Sequence, residues 1–201
     1  MRSQSNIVLG RQPILDRAGR LVAYELLFRA AADQTEAVID DNALATASVV
    51  TRAFRQIGIQ TVVGGCRAFV NVDAETLLSG LVETLPQRQV VLEILESVEV
   101  DERILRRCRA LKDKGYRFAL DDFVGYSETY EPLLDIVDVV KIDVLQLDSV
   151  TLSALVQRLK LRPVRLLAEK VESRERARLC LAIGIDLFQG YLYGRPAVLA
   201  A

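Results

Sequence analysis

From residue 68 onward the sequence repeats one unit: a short apolar run, an amphipathic stretch, then another run roughly 20–30 residues on. The runs cover 68–72, 90–95, 117–121, 137–142, 164–168 and 187–190, and Val, Ile, Leu, Phe and Ala dominate them without period-two alternation. Strands of that kind are covered on both faces, as in parallel sheets. Between them, 99–114, 147–161 and 172–183 carry apolar residues at helical spacing, and two of these stretches stop at Gly115 and Gly184. Shorter helices are predicted at 73–85 and 127–134. Two earlier runs, 7–12 and 21–29, are joined by a turn at 15–19 that is too short for a parallel crossover, so they should pair antiparallel. The stretch from 30 to 65 holds a predicted helix at 41–57 plus loops. No Pro/Gly/Ser linker divides the chain, which reads as one domain over 1–201 with no second domain. The predicted class is α/β: a TIM-like (β/α)8 barrel with an antiparallel first strand.

Composition narrows the chemistry. The 201 residues contain no histidine, which removes Ser-His-Asp and Cys-His catalysis and HExxH zinc sites. Three scattered cysteines (Cys66, Cys108, Cys180) form no CxxC pair and read as small buried hydrophobes. Lys and Arg number 26 against 27 acids, so no basic surface for a DNA or RNA polymer is expected. No apolar run approaches the ~18 residues of a membrane span, and residues 1–10 hold no signal-peptide core. The expectation is a cytoplasmic protein without a membrane partner.

Strand after strand then breaks its apolar run with a polar residue: Glu25, Asn71, Glu93, the Asp121-Asp122 pair, Lys141, Glu169 and Gln189. In a parallel barrel the C-terminal strand ends face one way, so these residues converge on one mouth. Several carboxylates around one cavity with a single lysine cannot all stay ionised in a dry site. Either their pKa values rise or a divalent cation neutralises them. The donor set is oxygen-rich, which favours Mg²⁺ or Mn²⁺ over zinc, and two such ions are a standard arrangement for phosphodiester hydrolysis.

The motifs RQPILD, YELLFR, FVNV, LEILE, ALDDF, VVKID, AEKVE and FQGYLYGRP, in that order, resemble the EAL-domain family. Details such as YELLFR and the Gly64-Gly65 pair before FVNV are most similar to the subgroup usually fused to an HDOD domain. The resemblance implies metal-dependent hydrolysis of cyclic di-GMP to linear pGpG in bacterial signal transduction. It assigns a first metal to Glu25, Asn71, Glu93 and Asp121, and a second to Asp121, Asp122 and Glu169. Lys141 is to hold the attacking water or the scissile phosphate, and Glu169 to activate that water; with Glu25 they form the implied catalytic set. Gln12, Arg29, Glu172 and Gln189 are the implied substrate contacts, and Glu96, the second acid of LEILE, the anchor of the loop after the fifth strand, 117–121. Implied partners are cyclic di-GMP and either a homodimer mate or another signalling domain.

Two departures keep alternatives open. Leu26 stands where the family usually has Ala, and the segment after DDF, Val124-Gly125-Tyr126-Ser127-Glu128, is one residue shorter than in active members. A catalytically degenerate receptor for cyclic di-GMP and a protein-interaction module therefore stand beside the hydrolase. Phe123, Tyr126, Phe188 and Tyr191 are candidates for stacking on guanine, though each reads more naturally as core. P-loop, dinucleotide-binding and α/β-hydrolase motifs are absent.

Overall fold

A computed structural model describes residues 8–29, 58–126 and 130–199. The predicted helix at 41–57 and the start of the one at 127–134 lie outside the described residues. Among the described residues there are nine strands: β1 Val8–Asp16, β2 Leu21–Arg29, β3 Arg67–Val72, β4 Val90–Ile94, β5 Arg117–Leu120, β6 Val139–Asp143, β7 Arg165–Glu169, β8 Leu187–Phe188 and β9 Ala197–Leu199. The described helices are α1 Ile59–Val63, α2 Ala74–Leu78, α3 Glu102–Asp113, α4 Glu131–Leu134, α5 Ser149–Leu159 and α6 Arg174–Ile183.

Strands β2 to β8 run parallel, each paired with the next. β1 closes the ring by pairing antiparallel with both β2 and β8. The fold is thus the expected barrel with an antiparallel first strand. β1 runs on to Asp16, so the connection to β2 is the shorter turn 17–20, tied by a bond from Gly19 N to Asp16 O. β9 was not expected. It pairs with Leu9–Arg11 of β1, on the edge whose far end meets β8.

The helices start and stop where local chemistry dictates. Asp101, Asp148 and Ser173 accept backbone N–H bonds at the N-termini of α3, α5 and α6. Gly184 ends α6 in the left-handed region. On α3 the buried face is Ile104, Leu105, Cys108 and Leu111, the predicted stripe. The predicted helix at 73–85 instead divides into α2 and a 3₁₀ turn at Val82–Thr84, because Ser79 leaves helical backbone and caps α2 with its own N–H. Cys108 and Cys180 are buried, and burial pushes their thiols up to about 12 and about 11. Cys66 is only half-buried, which corrects its reading as a core residue.

The barrel interior is one apolar ring with a residue from each of the strands β1 to β8: Ile14, Ala23, Phe69, Val91, Ala119, Val139, Leu167 and Leu187. A larger shell between strands and helices forms the second core. Among the described residues no helix is long and apolar enough to cross a membrane.

Candidate active site

Side chains alternate along a strand, so the residue two places from a core position faces the same way. Two places toward the C-terminal mouth from the apolar ring lie Glu25, Asn71, Glu93, Asp121, Lys141, Glu169 and Gln189. On the reversed β1 the equivalent position is Gln12. Each of the eight strands β1 to β8 thus presents a polar residue at this level. Seven of the eight were legible as interruptions of apolar runs. Asp121 and Gln189 lie just past β5 and β8, yet their N–H groups still bond to Ile94 O and Ala168 O, which holds them in register.

Lys141 is fully buried at the centre. Its Nζ lies 2.6 Å from both Glu93 and Asp121, 2.9 Å from Glu169 and 3.4 Å from Glu25. Burial alone would depress this ammonium, but Asp121, Glu169, Glu25 and Glu93 together hold it well above its ordinary value. One cation cannot balance four carboxylates. Burial pushes Glu93 well above the usual carboxylate range, Lys141 opposing and Glu25 and Asp121 adding to the rise. Glu169 is pushed up to about 8 by the same causes.

The oxygens also lack donors. Oε2 of Glu93, Oε2 of Glu169 and Oδ1 of Asn71 are buried without a hydrogen-bond partner among the described residues, and Oε1 of Glu93 has the Lys141 ammonium alone. Buried acceptors left in that state cost about 1–3 kcal/mol each, more when charged. Hard, anionic, donor-poor oxygens in this number fit a divalent cation such as Mg²⁺ or Mn²⁺. Among the described residues no three acidic side chains converge in metal-binding geometry; they close on Lys141 instead. A dication and the Lys141 ammonium therefore compete for the same oxygens.

The seam between β1, β2 and β8 is bonded through amides. Gln189 Nε2 donates to Gln12 Oε1 at 3.0 Å and also to Glu25, and Gln12 Nε2 donates to Gly194 O at 3.0 Å. Gly190 makes this possible: at φ 145 it passes so close to Val171 that a Cβ would lie 2.2 Å from that residue's nitrogen.

Above the cluster lies a second ionic group that sequence reasoning missed. Asp143, at the end of β6 and two residues beyond Lys141, accepts from Lys170 Nζ at 2.6 Å, Gln146 Nε2 at 2.8 Å and Leu145 N at 2.9 Å. The same Lys170 Nζ donates to Asp122 at 3.0 Å. Asp122 thus faces Lys170 rather than joining the Lys141 cluster. Both Asp122 (φ 43) and Lys170 (φ 55) hold left-handed backbone, a conformation that costs non-glycine residues energy and concentrates at working sites. The signal for Asp143 was its even spacing from Lys141 in VVKID; Lys170 sits beside Glu169 and gave none.

Of the other predicted residues, Glu172 and Glu96 are exposed, in the segments after β7 and β4, and neither makes a hydrogen bond or ion pair among the described residues. Arg29 ends β2, its side chain outside the described residues. Phe123 and Phe188 are core residues, while Tyr191 is exposed with the Arg195 guanidinium 4.6 Å from its ring centre.

The EAL domain profile matches residues 2–196. The chain belongs to the EAL domain family. YuxH, an uncharacterized protein of Bacillus subtilis, is 34% identical over 96% of this EAL chain and 48% of its own length. The cyclic di-GMP phosphodiesterase CdgJ of Vibrio cholerae is 32% identical over 95% of this chain and 44% of its own. The EAL chain thus spans about half the length of the curated relatives it matches. Among solved structures, the EAL domain protein YkuI of Bacillus subtilis, in complex with substrate c-di-GMP and calcium, superposes with a TM-score of 0.77. It is 22% identical, and the match covers 98% of this chain and 57% of that one.

Proposed function

We propose that this EAL domain hydrolyses cyclic di-GMP to linear pGpG with the help of Mg²⁺ or Mn²⁺. The observation that carries the reading is the ring of buried, donor-poor oxygens at the C-terminal mouth of the barrel. Glu25, Asn71, Glu93 and Asp121 are assigned to one ion, and Asp121, Asp122 and Glu169 to a second. When bound, such ions supply Lewis acidity to the phosphate and acidify water.

The chain's own residues do the rest. Glu169, at the end of β7 with an oxygen 2.9 Å from the Lys141 Nζ, is assigned to accept the proton of the attacking water. Lys141 orients that water or the scissile phosphate and stabilises the charge that builds on the phosphoryl oxygens. Water's oxygen bonds to phosphorus, the P–O3′ bond breaks, and the released O3′ takes up a proton, leaving one phosphomonoester and one hydroxyl. Gln12, Arg29, Glu172 and Gln189 are assigned to the dinucleotide, Arg29 as a fork to phosphate. Glu96 is assigned to anchoring the loop after β5. A homodimer mate or a further signalling domain is the proposed protein partner.

A second reading rests on one observation, the engagement of Asp122 by Lys170. If that pair persists with nucleotide bound, the domain is a cyclic di-GMP receptor without turnover. Incubation with Mn²⁺ and cyclic di-GMP followed by chromatography separates the two. The expected result is linear dinucleotide from the wild type and none from Glu25→Ala. Saturable binding without product from the wild type would establish the receptor instead.

A further inference from the structure

The opposite end of the barrel carries a polar group that the reaction above leaves unused. Two residues before the apolar ring, β3, β5 and β7 place Arg67, Arg117 and Arg165 on its inward-facing register. These are alternate strands, and in a barrel of this type alternate strands contribute to one layer. The three arginines line a cavity of about 90 Å³ whose inner wall includes Phe69, Val91 and Val139. That is room for several waters. Arg67 is half-buried, and Arg117 and Arg165 reach solvent, so the cavity opens outward.

Among the described residues none of the three guanidiniums makes a hydrogen bond or ion pair. The one carboxylate that lines the cavity is already committed: Asp138 accepts from Phe118 N at 3.0 Å and pairs with Lys112 at 3.4 Å. Burial and the fields of Arg117 and Arg165 lower the Arg67 guanidinium and the Asp138 carboxylate opposes them only in part, so the three cations share one electrostatic neighbourhood. Arg107, by contrast, is tied down by Glu83 and two backbone carbonyls.

The geometry points to an oxyanion site at the N-terminal mouth of the barrel, in which Arg67, Arg117 and Arg165 bind a phosphate group. Planar guanidinium forks match tetrahedral phosphate oxygens and give charge-assisted bonds. The phosphate can come from inorganic phosphate or from the monoester end of a nucleotide whose body stays in solvent. The site lies across the apolar ring from the Lys141 cluster and does not depend on the assignment of that cluster.

Calorimetric titration of the whole chain with inorganic phosphate, and separately with adenosine monophosphate, tests the assignment. Both runs use EDTA and constant ionic strength, with adenosine and chloride as controls. Saturable binding of phosphate is expected, weakened about tenfold or more in Arg117→Gln/Arg165→Gln. Tighter binding of the monophosphate than of inorganic phosphate identifies an ester as the ligand, and equal binding identifies the free ion. The glutamine variant is expected to melt no lower than wild type without phosphate, because repulsion is relieved. Should it fail to fold, Arg117→Lys/Arg165→Lys keeps the charges, removes the forks and is expected to bind severalfold more weakly. Identical phosphate binding in wild type and a folded variant, or a response that never saturates, overturns the site.

Discussion

Lys141 is the residue on which the metal-free domain depends, because among the described residues it alone offsets three buried carboxylates and the half-buried Asp121. Removing one partner of a buried ionic group typically costs about 3–5 kcal/mol. Lys141→Met is expected to lose about 3 kcal/mol of stability in EDTA by urea denaturation. Mn²⁺ should restore a larger fraction in this variant than in the wild type, since the ion no longer competes with an ammonium. A peripheral pair gives a contrasting pH signature. Glu83 is held down at about 2 by its bonds to Arg107, with Lys114 adding to the effect. A depressed carboxylate contributes stability above its unfolded pKa and loses it as pH falls through the folded value. The contribution should therefore fade between pH ~4.5 and ~2, and Glu83→Gln should flatten the melting temperature across that window. At this scale the sequence was legible wherever a polar residue broke an apolar run, as at Glu93 in VVLEIL. Asp143 and Lys170 sit at strand ends, where a charge is unremarkable, and only the fold brings them together.

Among the elements, strand identity was readable because burial on both faces leaves nearly unbroken apolar runs. Boundaries were not, since ladder bonds rather than hydrophobicity decide them. Asp16 extends β1 by pairing across to β8, and Gly80 and its neighbours interrupt a stretch that reads as one helix. β9 has three residues and no apolar run long enough to notice; its pairing with Leu9–Arg11 is purely tertiary. The segment after β8 depends on one close approach. Ala at Gly190 would place its Cβ 2.2 Å from Val171 N and 2.4 Å from Val171 O. Both are backbone atoms that cannot yield cheaply. Gly190→Ala is expected to lose ~3 kcal/mol or more in urea denaturation. It should also weaken any function that uses Gln189, its neighbour in the Gln12–Glu25 seam.

For the molecule as a whole, the cluster couples folding to pH and to metal. Glu169 is pushed up to about 8 and Glu93 also rises, so the metal-free folded state retains protons that the unfolded chain releases. Stability without metal should therefore decline as pH rises from ~4.5 toward ~8. A dication displaces those protons, so the rise in melting temperature on adding Mn²⁺ should be greater at pH 8 than at pH 6. Scanning calorimetry at the two values checks this, and an equal rise would mean that the carboxylates are ionised without metal. The direction of β1 has a further consequence. Because it runs opposite to its neighbours, its first residues lie beside the rim that carries the carboxylates, and β9 climbs back along them to Leu199. Both ends of the described barrel emerge on that side. The first and last described residues, Val8 and Leu199, therefore stand at the doorway of the pocket and not at its back.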